Sequence, residues 1–177
     1  MSVAFHRSPR DWLMSDKILD EATAAILRDT KIVWTFDVPY VAGYSKDGKT
    51  FYIDRKLPPG FEHPGGLFRI ENTLILHEAI EKGLEDEIPS LPYQLAHQVA
   101  LRGEEAAVRA AKVSWVDYNT WFMKQIRSIG NRALYEDCPP DLDLKPYLDE
   151  EDWETLEKMF ASGKPLWDGR KVHPGVV

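Results

Sequence analysis

The sequence has a single cysteine, Cys138, among 177 residues. An intrachain disulfide is therefore excluded, and the chain suits a reducing compartment. Long hydrophobic runs are missing as well. No stretch approaches the ~20 apolar residues of a membrane span, and the amino-terminal MSVAFHRSPRDWLM contains no apolar run of signal-peptide length. Together these absences predict a cytoplasmic protein with no membrane partner. Clustered positive charge is the third absence. With 29 acidic against 22 basic residues and a net charge of -7, the chain shows no run of lysine and arginine that could track phosphates, which argues against nucleic-acid binding. Internal repeats and low-complexity tracts are also lacking.

What is present is the balance of a globular chain, 44% hydrophobic and 29% charged. Its length suits one domain over residues 1–177, with a core that needs no metal or disulfide to persist. Residues 16–29 carry Ile18, Leu19, Ala22, Ala25 and Ile26 at helical spacing behind Ser15 or Asp16 as a cap, which predicts a first helix. KIVWTF, VPYVAGYS and TFYIDRKL follow, the last two joined by KDGK, whose Asp47-Gly48 can take positive φ; they predict a small antiparallel meander. LPPGFEHPGG, residues 57–66, has three prolines and three glycines and predicts an irregular loop.

Further on, a helix is expected from Ile70 or Asn72 to Gly83, and a second from about Pro92 to Lys112. More helices are expected at 117–129 and 149–163, with an extended tail over 164–177. This order defines an α+β fold, a small antiparallel sheet followed by a mainly helical layer, with the chemistry concentrated in residues 31–112.

That chemistry begins in LILHEAIEKG, residues 74–83. His77 and Glu81 are four apart, so on a helix they reach a common point, as a two-residue metal clamp requires. Glu78 is rotated by about 100° and borders the same edge of the helix. Taken alone, this fits an ordinary charged helix face better than a site, because H-E-x-x-H would need a second histidine where Glu81 stands.

The next helix, PYQLAHQVALRGEEAAVRAAK, makes the stronger case. Tyr93, Ala96, Ala100, Leu101, Ala107, Val108 and Ala111 form its apolar stripe, and His97 and Glu104 fall inside that stripe. An ionisable group facing a core must be paired, neutralised or metal-bound, since an unpaired buried charge costs several kcal/mol, roughly. The two are seven residues apart, about 10.5 Å along a helix axis, so each meets a group on another element more readily than the other. A short connection makes the two helices antiparallel neighbours, which brings His77, Glu81 and His97 together with Glu78 and Glu104 nearby. Two imidazoles and a carboxylate are a common catalytic ligand set for zinc.

With these residues in view, the chain resembles the zincin superfamily of zinc metallopeptidases over roughly residues 31–112. There, a strand-rich layer precedes a helix bearing H-E-x-x-H, and a third ligand comes from a later helix. The resemblance implies a metal-dependent hydrolase in which His77 is the first ligand and Glu78 the catalytic glutamate. Glu81 replaces the second histidine, and His97 stands where many zincins have a glutamate. The exchange makes manganese, iron or nickel admissible beside zinc, and it leaves open Glu104 instead of Glu81 as third ligand. Tyr93 is a candidate oxyanion donor or a plain core aromatic. The strand at 51–58 is a candidate edge for an extended peptide substrate, with Asp54 and Arg55 either supporting the site or ending a turn.

The remaining candidates weigh less. His63 lies in the loop before the helix, and His6 and His173 lie near the termini. DLDLKPYLDEED has Pro146 where a calcium loop needs glycine. A di-iron bundle needs Glu three residues before each histidine, and Leu74 and Gln94 occupy those places. The rival functional class is a non-enzymatic binding or assembly protein, with a buried His/Glu network or structural metal and with Trp115, Trp121 and Phe122 facing a partner.

Overall fold

A computed structural model of the chain describes residue 28, residues 30–130 and residues 136–146. The helices expected at 16–29 and 149–163, the tail at 164–177, His6 and His173 lie outside the described residues, apart from Arg28. Among the described residues, five short strands precede three α-helices, so the α+β class holds.

The first sheet contains β1 (Lys31–Val33), β2 (Ala42–Tyr44) and β3 (Thr50–Ile53) in the order β1-β3-β2. β2 and β3 are antiparallel, as the turn at Asp47-Gly48 implies, and Gly48 has φ 67°. β1 runs parallel to β3, so the sheet is mixed and not an antiparallel meander. β3 is its middle strand and is hydrogen-bonded on both sides. Thr50–Ile53 therefore offers no edge to a peptide, which corrects the edge position expected for 51–58. Alternation along β3 sends Phe51 and Ile53 to the main core and Tyr52 to a smaller cluster with Val38 and Leu142.

The stretch expected to be a loop is largely a hairpin, β4 (Gly60–His63) and β5 (Gly66–Arg69). Its prolines flank the strands or occupy the turn, where no ladder donor is missed. Gly66, at φ 116°, closes the turn in a conformation open mainly to glycine. A Cβ on Gly60 would sit 2.9 Å from the Phe68 carbonyl oxygen, so that glycine allows the close approach of the two strands.

Helix α1 spans Glu71–Glu87 and passes through Gly83. It ends at Ile88 because Pro89 restricts the residue before it to extended conformations. Helix α2 spans Tyr93–Ala110. It closes with Lys112 at φ 60°, with Lys112 N–H donating to Arg109 O and Val113 N–H to Val108 O, a pair of bonds that satisfies the last carbonyls. Helix α3, Trp115–Gln125, is capped by Ser114, whose hydroxyl accepts from Asp117 N–H, and continues as one π turn to Gly130.

The short connection 88–92 makes α1 and α2 close neighbours. At Gly103 a Cβ would run into Ile80 Cδ1, so the tip of Ile80 fills the space that glycine leaves between the two helices. The segment 136–146 returns to the outer side of β2 through Lys46 N–H to Asp141 O and Asp143 N–H to Tyr44 O. Buried Asp37 holds it by accepting from the backbone N–H of Glu136 and Asp137 and from Arg55. Asp54 accepts from Val38 and Lys56 N–H, so Asp54 and Arg55 serve the turn and this clip.

Candidate metal centre between two helices

Burial on α1 is wider than its apolar residues suggest. His77, Glu78 and Glu81 are 6, 8 and 2% exposed, inside the core rather than at its rim, and Ile80 is only half-buried. On α2, Glu104 is 3% exposed and His97 is half-buried. Antiparallel packing pairs the groups crosswise: His77 Nδ1 lies 3.0 Å from Glu104 Oε2, and His97 Nδ1 lies 3.1 Å from Glu81 Oε2. Climbing one turn of α1 from His77 to Glu81 descends two turns of α2 from Glu104 to His97. The two imidazole rings stand 4.9 Å apart at 69°.

Glu81 is the centre of the group. Its Oε2 also lies 3.5 Å from His77 Nε2, and ligand atoms from His77, Glu81 and His97 all fall within 4.8 Å of one another. Around a tetrahedral ion with bonds of about 2.0–2.2 Å, ligand atoms are roughly 3.4 Å apart, so this donor set fits a divalent cation such as zinc. Glu104 occupies the other nitrogen of His77. A carboxylate on Nδ1 favours the proton on that nitrogen and would leave Nε2 for a cation, the usual support of a metal-binding histidine.

Two tyrosines complete the arrangement. Tyr118 of α3 donates to Glu104 Oε1 at 2.7 Å. Tyr44 of β2 donates to Glu81 Oε1 at 3.2 Å and to Glu85 Oε2 at 3.3 Å, while Lys145 reaches Glu85 at 3.4 Å. Neither tyrosine stands out in the sequence. A weak signal for Tyr118 exists: a tyrosine on the inward stripe of α3 needs an acceptor, and Glu104 needs a donor.

Burial and mutual pairing set the protonation states. Burial pushes the His77 imidazole down, but the hydrogen bonds to Glu104 and Glu81 outweigh it and hold the group at about 10. Burial pushes Glu81 up, and the bonds to His77 and His97 overcome this and bring it to about 2. Glu78 lacks such help. Burial and the neighbouring Glu81 charge raise it to about 8, against the opposing pull of His77, and among the described residues it has no hydrogen-bond partner. Burial, with the surrounding carboxylates, keeps Tyr44 and Tyr118 protonated.

The His/Glu cluster and Tyr118 border a cavity of about 360 Å³. The candidate metal ligands and catalytic residues expected from the sequence line it: His77, Glu78, Glu81, Tyr93, His97 and Glu104. Tyr93 stacks obliquely on His97, centroids 5.8 Å apart. Tyr40, which also borders the cavity, sits with Val41 at positive φ, 54° and 74°. Two consecutive non-glycine residues there are strained, a cost borne where the chain turns from the cavity into β2. His63 lies elsewhere, stacked on Phe61 in the hairpin. Trp115, Trp121 and Phe122 are half-buried and pack against the core, and Trp115 and Phe122 also line the cavity.

Comparison of the chain with protein-family models, with curated proteins and with solved structures yields no match. Among the described residues, no helix is long and apolar enough to cross a membrane.

Proposed function

We propose that the protein is a metal-dependent hydrolase whose cation, zinc in the first instance with manganese, iron or nickel also admissible, is held by His77, Glu81 and His97. One observation carries this: three donor atoms converge within 4.8 Å on the wall of a cavity that also presents the buried carboxylate of Glu78. When bound, a divalent cation supplies Lewis acidity toward a carbonyl and lowers the pKa of a water. Glu78 takes the proton of the attacking water as general base and returns it to the leaving group. Glu104, backed by Tyr118, fixes the orientation of His77, and Tyr44 does the same for Glu81. Tyr93 is placed beside His97 to donate toward the developing oxyanion.

The specific form of this reading is a zincin-like metallopeptidase. It is supported by the His-Glu order on α1, the strands before that helix and the ligand from the next one. The single cysteine supports a cytoplasmic location. The rival reading, a binding or assembly protein built on a buried His/Glu network, draws on the fact that each imidazole already has a carboxylate partner.

Glu78→Gln separates the two. In metal-loaded protein assayed against blocked peptide, amide and ester probes, the substitution lowers turnover by about 100-fold or more and leaves metal content unchanged. Equal turnover removes Glu78 from the mechanism, and absence of metal-dependent turnover by the parent protein favours the rival.

A further inference from the structure

The cavity wall carries two kinds of side chain. His77, Glu78, Glu81 and His97 are among its polar members, and Leu74, Leu101, Trp115, Phe122, Met123 and Ile126 are among its apolar ones. Among the described residues, no lysine or arginine lines the cavity. Within that lining a phosphate, or a second carboxylate on the ligand, would meet no side-chain cation and would face Glu78 and Glu104. At about 360 Å³ the cavity is at the small end of the range for ligand sites, roughly 300–1,000 Å³. It has room for one compact group, and apolar walls reward filling it with hydrocarbon.

We infer that the substrate of this site is an amide or ester whose acyl group is apolar and uncharged, aromatic or branched, with its carbonyl at the His77–Glu81–His97 centre and its hydrocarbon against the α2 and α3 side chains. The inference rests on the metal-hydrolase reading. An apolar acyl group can belong to a peptide residue or to a small amide; the chemistry recognised is the same.

Hydroxamates test it by binding rather than turnover, because they chelate a metal that has an open position. Zinc-loaded protein is titrated calorimetrically with acetohydroxamate, 3-phenylpropanohydroxamate and succinate monohydroxamate. The phenyl compound is expected to bind roughly 10–100-fold tighter than acetohydroxamate, and the succinate compound no tighter than acetohydroxamate. In Met123→Gln, which places an amide in a half-open part of the wall, the phenyl advantage shrinks. A peptide hydroxamate with the same aromatic residue identifies the source: flanking residues add affinity for a peptide substrate and none for a small amide. Equal affinity for the phenyl and acetyl compounds, or preference for succinate, overturns the inference while the metal reading stands. Failure of every hydroxamate to bind zinc-loaded protein overturns both, as does failure of the protein to take up metal.

Discussion

A histidine whose two ring nitrogens both face carboxylates has its orientation decided by its neighbours. His77 lies between Glu104 on Nδ1 and Glu81 on Nε2, and Tyr118 in turn holds Glu104. Removing the Glu104 charge therefore weakens metal binding without touching a ligand. Glu104→Gln is expected to lower zinc affinity by roughly 10–100-fold and Tyr118→Phe by less, both measured by competition with a chromophoric chelator; unchanged affinity in Glu104→Gln would sink the orienting role. The clustering of the candidate residues was legible in the sequence because ionisable groups on an apolar stripe demand partners. His97 and Glu104 stand out against Ala96, Ala100 and Val108 in a way that no exposed charge does. Tyr44 was not legible and Tyr118 only weakly so, since a tyrosine in a strand or an aromatic helix fits the core whether or not its hydroxyl has a task. Which carboxylate faces which imidazole was equally hidden, because it depends on the register between two helices.

At the level of elements, α1 and α2 act as one unit whose spacing sets the distance between His77 and His97. Gly103 permits that spacing, with Ile80 filling the space where a side chain would project. Gly103→Ala is expected to be tolerated, because the flexible tip of Ile80 can move. Gly103→Val overpacks the contact and should destabilise the fold by about 1–3 kcal/mol, with zinc affinity falling beyond what Gly103→Ala causes; chemical denaturation and chelator competition read the two effects, and wild-type affinity in a folded Gly103→Val protein would show that this spacing does not govern the site. Both helices follow from their 3.6-residue periodicity. Gly83 suggested an early end to α1, but glycine stops a helix only where the chain takes a left-handed turn, and here Pro89 supplies the stop. The β4–β5 hairpin escaped because its prolines and glycines read as an irregular loop, although they sit where a hairpin tolerates them. The parallel pairing of β1 with β3 is non-local, and no local pattern encodes it.

For the whole molecule, burying this many acidic groups ties stability to pH. In metal-free protein, Glu78 is raised from 4.5 to about 8, so between those values the native state retains a proton that the unfolded chain has released. His77 is raised from 6.5 to about 10 and has the same sign over its own interval, and Glu85, raised by burial, adds to it. Glu81, lowered from 4.5 to about 2, contributes stability above pH 4.5 that is lost as pH falls toward 2. Metal-free protein is therefore expected to be most stable near pH 5 and to lose stability steadily toward pH 9. A cation needs the imidazoles unprotonated, so it opposes the trend and stabilises more at pH 8 than at pH 6. Thermal melts with chelator and with zinc across this range check both slopes; a metal-free melting temperature that rises from pH 5 to pH 9 would contradict the assigned protonation states.

The central claim is that His77, Glu81 and His97 together hold a metal, and the most direct measurement is elemental analysis of untagged protein with zinc titration of the metal-free form. One equivalent per chain is expected in the parent protein, lost in both His77→Ala and His97→Ala while circular dichroism shows the fold retained. A folded parent protein that carries no metal and takes up neither zinc, manganese, iron nor nickel would contradict the account.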